Sequence, residues 1–142
     1  MFKLVLASLA LCFASVSFAA IPSTMNTCEP SASLKVAYKI VDKSLSIDLS
    51  GKGEDGKPFQ GSSTYTIINS ADFTAAEFSA DDIKVINTIA GISNFTNGVW
   101  LDITTGNEKS SMMFLEFSPG QYSVLWVVQG FPLPLGKTDL CN

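Results

Sequence analysis

The sequence predicts an α+β domain that is mostly antiparallel β, with about six strands in two meanders and one helix near residues 80–90. Apolar and polar residues alternate with a period of two over several short segments, which is typical of strands that bury one face. Between the two groups of strands, apolar residues recur instead at helical spacing. An all-β sandwich is the alternative, because the proposed helix is rich in β-branched residues.

The first meander is predicted from alternation over residues 34–40 and 44–50 and from a run of β-forming residues at 59–68. The sequence GKGEDGKP at residues 51–58 separates the last two of these strands. Its glycine spacing matches nucleotide-binding loops, but no helical pattern follows it. Pro58 also stands where a phosphate-binding loop needs Ser or Thr. The stretch is therefore predicted to be an exposed hairpin loop.

The helix has start and stop signals at both ends. Ser79 is a good N-cap residue, and Asp82 follows three residues later in the first turn. Gly91 stands where a left-handed C-terminal cap is expected. A second start signal, formed by Thr74 and Glu77, precedes the helix. Isoleucines at the helical spacing occupy positions Ile83, Ile86 and Ile89.

The second meander is predicted over residues 99–104, 111–117 and 122–128, with turns at Gly106 and Gly120. The last two of these strands are apolar on both faces, so both faces must be covered. The sequence FPLPL at residues 131–135 is predicted to leave the sheet, since proline cannot serve a central strand.

The N-terminal residues have the pattern of a secretory signal peptide. A lysine, an apolar run and a small-x-small cleavage site occur in that order over residues 1–19. Residues 20–33 are predicted to be an extended N-terminal segment, and residues 34–142 a single β-rich domain. No later stretch is long enough for a transmembrane helix. The protein is therefore predicted to be secreted, to the extracellular space or the periplasm.

Two cysteines, Cys28 and Cys141, lie outside the predicted signal peptide, near the two ends of the remaining chain. In an oxidising compartment this pattern favours a disulfide bond between them. Two free thiols, or one bridge between molecules, are the alternatives.

Charge and composition exclude several functions. The net charge is −4 and every basic residue is lysine, so the arginines that usually recognise phosphate and guanine are absent. We therefore expect no binding to nucleic acid. The chain has no histidine, which excludes His-based catalysis and His-ligated zinc. No catalytic residue, metal site or cofactor is predicted, and the oligomeric state is not predicted either.

The last third of the chain concentrates aromatic and methionine residues. Their ordinary role is to fill a core. Alternatively, one face of this sheet binds an apolar small molecule or a protein partner. The sequence therefore predicts a non-catalytic binding protein. Its candidate contact residues are Met113, Phe117, Tyr122, Trp126 and Phe131.

The alternative function is a small secreted hydrolase that uses paired carboxylates. Its candidate acidic residues are Glu54, Asp55, Asp81, Asp82, Asp102 and Glu116.

One modification site is also predicted. Asn94 lies in the tripeptide Asn-Phe-Thr, which matches the acceptor for N-glycosylation. It would be used only if the host is eukaryotic and the loop is exposed.

Overall fold

The computed structural model describes residues 21–30 and 33–141. The predicted signal peptide at residues 1–19 lies outside the described residues. A short 3₁₀ helix, Ala75–Glu77, precedes the α-helix, and another, Thr138–Cys141, follows the last strand. The other elements in chain order are β1 (Thr24–Cys28), β2 (Leu34–Val41), β3 (Ser44–Lys52), β4 (Pro58–Thr74), α1 (Ala80–Ala90), β5 (Asn97–Thr105), β6 (Glu108–Ser118), β7 (Gln121–Val128) and β8 (Phe131–Lys137).

The strands form one closed antiparallel barrel in which each strand pairs with the next along the chain. The barrel closes where Cys28 of β1 pairs with Lys137 of β8. The prediction of a mostly antiparallel fold with one helix is confirmed. The prediction of about six strands in two meanders is wrong, since eight strands form a single barrel rather than two meanders or a sandwich.

The two strands that were not predicted are the first and the last. β1 lies in the segment predicted as an extended lead-in, and it pairs with β2 along its whole length. β8 contains Pro132 and Pro134, which pair with Val127 and Leu125 of β7. Proline is tolerated here because β8 has a strand partner on only one side over these residues.

Strands β5, β6 and β7 contribute their inward and outward faces to two separate hydrophobic cores. The inner core fills the barrel and includes Leu101, Met112 and Val124. The outer core lies between the barrel and α1 and includes Ile86, Met113 and Leu125. This arrangement covers both faces of β6 and β7, as their two-sided apolar pattern requires.

Helix α1 has the predicted bounds, and its ends are capped as predicted. The Ser79 side chain accepts a hydrogen bond from the Asp82 N–H at 3.1 Å. Gly91 takes the left-handed conformation, with φ of 69°. The helix end is also tied to the barrel, since the Ser123 hydroxyl donates to the Ala90 carbonyl at 2.8 Å and Lys137 Nζ donates to the Gly91 carbonyl at 3.0 Å.

The sequence GKGEDGKP forms the hairpin turn between β3 and β4. Gly51 and Lys52 complete β3, Pro58 begins β4, and Gly56 in the turn has φ of 77°. The Gly53 N–H donates to the Lys57 carbonyl at 2.9 Å. The stretch is therefore a turn between two strands, as predicted, and no helix follows it.

Strand β4 is long and changes partners along its length. Its first half, from Pro58 to Thr66, pairs with β3, and its second half, from Thr66 to Thr74, pairs with β5. A register shift between Ile67 and Asn69 accompanies the change. Such bulges bend a strand, which lets a sheet curl into a barrel.

Candidate functional site

The five predicted contact residues do not share one face of the sheet. Trp126 packs against the inner core, and Tyr122 is buried within it. Met113 is buried in the outer core, against the helix side of the barrel. Phe131 is 72% exposed at the start of β8. Binding by these residues stays a prediction, and the structure places them in at least three different environments.

Trp126 lies at the boundary between the inner core and solvent. Its indole N–H donates to the Ser110 hydroxyl at 2.9 Å, which satisfies the only polar group of the ring. The Tyr65 ring meets it edge to face, with centroids 6.1 Å apart. Both partners hold the indole in one orientation, and the ring is only partly buried.

Two exposed apolar side chains lie beside Trp126 on the inward side. Leu133 pairs with Trp126, and Phe131 pairs with Val128 two residues further along β7. Residues directly opposite each other in a ladder project to the same face, so Leu133 and Phe131 project inward like Trp126. Leu133 is 49% exposed. We call the surface formed by Tyr65, Ser110, Trp126, Phe131 and Leu133 the barrel mouth.

Strand pairing is incomplete around the barrel mouth. β8 pairs with β1 only at Lys137, at the opposite end from Phe131. The first half of β4 likewise pairs with β3 but not with β5. Within the described residues, no strand therefore pairs with β8 on the side away from β7 at Phe131 and Leu133.

Below the barrel mouth the interior is filled with side chains. Tyr122 lies four residues from Trp126 along β7, or about 13 Å away in a strand. Tyr38 and Phe114 pack edge to face between the walls, with centroids 5.7 Å apart. An occupant of the barrel mouth would therefore rest on Trp126 instead of entering a deep cavity.

Phe117 lies apart from the barrel mouth. Lys137 Nζ is 5.9 Å from the centre of the Phe117 ring, and the same amine donates to the Gly91 carbonyl at the end of α1. Phe117 therefore supports a lysine that ties the helix to β8. Met113 is fully buried in the outer core, where it contributes to packing between the barrel and α1.

Asn94 is exposed in the loop between α1 and β5. Its side-chain oxygen accepts a hydrogen bond from the Phe95 N–H at 3.0 Å. Exposure was one of the two conditions for its modification, and glycosylation itself stays a prediction.

Three of the candidate acidic residues have local hydrogen-bonding roles. Asp102 accepts from the Trp100 indole at 2.7 Å and from the Ser111 hydroxyl at 2.8 Å. Glu116 accepts from the Gly120 N–H in the turn between β6 and β7, and Asp55 accepts from the Lys57 N–H. Nothing here tests the hydrolase alternative, which stays a prediction.

The residues that the structure describes contain no group of three or more Cys, Asp or Glu side chains arranged to hold a metal ion. Among the same residues, no helix has the length and the apolar character needed to cross a membrane.

A concave surface lies on the outer side of β1–β4. It has a volume of about 520 Å³ and is lined mainly by hydroxyl, amide and charged side chains, including Asn26, Lys39, Ser46 and Asp48. It lacks the exposed aromatic rings of the barrel mouth, so we regard the barrel mouth as the stronger candidate site.

Trp126 and Phe131 were predicted from the sequence as contact residues, whereas Tyr65, Ser110 and Leu133 were not. Leu133 lies between two prolines and was predicted to be outside the sheet. Tyr65 meets Trp126 across the barrel because the strands close, which local patterns do not reveal. Ser110 lies beside Trp126 through the pairing of β6 with β7, one residue before the predicted start of that strand.

Comparison with known proteins returned no matching family model, no matching curated protein and no matching solved structure.

Proposed function

We propose that the protein is a secreted, non-catalytic binding protein that receives an apolar small molecule at the barrel mouth. The observation that supports this proposal is the exposure of Phe131 and Leu133 on the inward side of β8, beside Trp126. Exposure of a phenylalanine ring to water is unfavourable. A ligand that covers the ring gains about 25 cal/mol of binding free energy for each Å² of apolar surface removed from water.

The architecture supports the same proposal. Barrels of about eight strands have an interior that is either filled by side chains or wide enough for one small ligand, and barrel mouths are frequent ligand sites. Here the interior is filled, so the available surface is the mouth itself.

The chemistry of the barrel mouth favours a neutral ligand with an aromatic or aliphatic body. Its defining side chains are aromatic or aliphatic, together with the Ser110 hydroxyl, and none of them is charged. The Trp126 N–H is already bonded to Ser110, which leaves the ring faces for contact.

Secretion is the part of the proposal that rests on the sequence pattern of residues 1–19. The disulfide between Cys28 and Cys141 supports it, because such bonds persist in oxidising compartments.

The test is a fluorescence titration with N-phenyl-1-naphthylamine, a neutral apolar probe that brightens in apolar surroundings. Binding at the barrel mouth should also quench Trp126 by energy transfer. Phe131→Ser and Leu133→Ser should each weaken probe binding about tenfold, since each removes part of the apolar contact. Both side chains are exposed, so the fold should survive the substitutions.

Val85→Ser is the matched control. Val85 is a similarly exposed apolar residue, but it lies on α1, outside the barrel mouth. This variant should bind the probe like the wild type. Absence of probe binding to the wild type, or equal effects of all three substitutions, would contradict the proposal.

A further inference from the structure

The first half of β4 presents an open sheet edge. Residues from Pro58 to Tyr65 pair with β3, whereas pairing with β5 begins only at Thr66, opposite Thr104. The side chains at positions 58–64 are all exposed. Among the described residues, no strand pairs with this part of β4 on the side away from β3.

The backbone groups at this edge can be assigned from the hydrogen bonds at its two ends. The Ile67 N–H donates to the Lys43 carbonyl at 2.7 Å, and the Gly53 N–H donates to the Lys57 carbonyl at 2.9 Å. In an antiparallel ladder the bonded positions alternate, so the odd-numbered residues of β4 bond to β3. Gln60, Ser62 and Thr64 therefore direct their N–H and C=O groups away from β3, towards the open edge.

The open edge of β8 is blocked by prolines, whereas the open edge of β4 is not. Pro132 and Pro134 lack N–H groups, so this part of β8 cannot donate the bonds that a new strand needs. The open edge of β4 has no such protection after Pro58. It also carries no charged residue from position 58 to position 71. Natural proteins commonly block unpaired edges with proline or charge, and an unblocked edge is able to accept a strand.

We infer that this edge pairs with the same edge of a second copy of the chain, antiparallel, about a two-fold axis at Ser62. In this register Ser62 faces Ser62 of the second copy, and Gln60 faces Thr64. The residues with outward-directed backbone groups then face one another, so every N–H and C=O group at the edge finds a partner. This correspondence is the self-complementarity that a two-fold interface requires.

The side chains fit the same register. Phe59 is 40% exposed and lies over Gly51 of β3. Two-fold pairing about Ser62 places Phe59 opposite Tyr65 of the second copy, on the inward side of the sheet. Aromatic pairs across neighbouring strands stabilise a sheet, and here each Phe59–Tyr65 pair would cover the exposed Phe59 ring.

Charge and length favour a second copy as the occupant. The chain is acidic overall, with a net charge of −4, so two copies meet most easily through a segment without charges. The open edge also has the same length on both copies. In this register Pro58 of one copy faces Thr66 of the other, where β5 already occupies the edge. This inference does not depend on the proposed ligand site.

The test uses position 62, which is the only position that faces itself across the axis. Analytical ultracentrifugation of the wild type should show a concentration-dependent dimer. Ser62→Lys and Ser62→Asp should each raise the dimer dissociation constant about fivefold, because like charges then oppose each other. An equimolar mixture of the two variants should recover dimers that contain one copy of each.

Ser46→Lys is the matched control, since Ser46 lies on the same outward face, one strand inside the edge, opposite Thr64. It should dimerise like the wild type. Circular dichroism confirms that each variant is folded. A wild type that stays monomeric at millimolar concentration would overturn the inference, as would a dimer that Ser62→Lys leaves unchanged or a failure of the mixed variants to form heterodimers.

Discussion

Gly136 lies against Cys28 at the point where the last strand meets the first. A side chain on Gly136 would come within 2.5 Å of the Cys28 carbonyl oxygen, and Gly136 has φ of 98°. The next residue, Lys137, pairs with Cys28, and Cys28 is also bonded to Cys141. Close backbone approach, strand pairing and a disulfide therefore coincide at the closure of the barrel. The Thr27 hydroxyl adds a hydrogen bond to the Leu135 carbonyl at 2.7 Å.

The first prediction concerns this contact. Gly136→Ala should lower the free energy of unfolding by about 3 kcal/mol or more, because the new methyl group collides with the Cys28 backbone at an unfavourable φ. Urea unfolding measures the change. Gly106→Ala is the control: Gly106 also has a positive φ, of 57°, but nothing lies within 4 Å of a side chain there. That variant should cost only about 1–2 kcal/mol. Equal losses in the two variants would show that the contact with Cys28 does not matter.

The second prediction concerns the disulfide. Cys28 and Cys141 are 113 residues apart in the sequence, so their bond closes nearly the whole described chain into a loop. The chain-entropy model assigns about 4–5 kcal/mol to such a loop. Replacing both cysteines with serine should lower the midpoint of thermal unfolding by more than 10 °C, given about 4 °C for each kcal/mol in a domain of this size. An unchanged midpoint would show that the disulfide bond does not stabilise the folded protein.

The third prediction concerns pH. Tyr38 is 3% exposed, and burial raises the pKa of its hydroxyl above the ordinary value of 10.0. The Thr27 hydroxyl lies 3.0 Å from Tyr38 and donates its own proton to Leu135, so Tyr38 is the donor to Thr27. The folded state therefore prefers the protonated form. The resulting stability is complete below pH 10 and is lost as the pH rises above it.

Tyr38→Phe should accordingly cost about 1 kcal/mol at pH 7, where it removes one buried hydrogen bond. It should also make unfolding less sensitive to alkali than in the wild type, because one buried group no longer has to ionise. Urea unfolding at pH 7 and at pH 11 measures both effects. Some alkaline sensitivity should persist, since burial and the neighbouring Glu116 raise the pKa of Tyr122 as well. An identical loss of stability in wild type and variant would contradict the assignment to Tyr38.

Local signals explain what the sequence could predict. The Ser79 and Gly91 caps define helix α1, and the glycine at position 120 defines the turn between β6 and β7, where φ is 74°. Each of these features depends on residues only a few positions apart. The pairing of Cys28 with Cys141 was also predictable, because they are the two cysteines outside the predicted signal peptide and allow only one intramolecular bond.

The closure of the barrel depends on residues far apart in the sequence, which local patterns do not relate. β1 has the sequence TMNTC, in which only Met25 is a large apolar residue, and the prolines of β8 argue against a strand. The barrel mouth was hard to predict for the same reason. Trp126 was predicted as a candidate contact residue, but its contact with Tyr65 follows from how the strands close.

The fourth prediction concerns Asp102, which was a candidate acidic residue for catalysis. One of its oxygens accepts hydrogen bonds from Trp100 and Ser111, and Trp100 is only 5% exposed. Asp102→Ala should cost about 1–3 kcal/mol, because the buried indole N–H loses its partner.

Asp102→Asn is the conservative variant and should cost about 1 kcal/mol or less, because the amide oxygen still accepts both bonds. Urea unfolding compares the two variants, and Trp100 fluorescence reports any change in the ring environment. If Asp102 acts only as a hydrogen-bond acceptor, asparagine should restore most of the stability that alanine loses. Equal losses in both variants would show instead that the negative charge of Asp102 is required for stability.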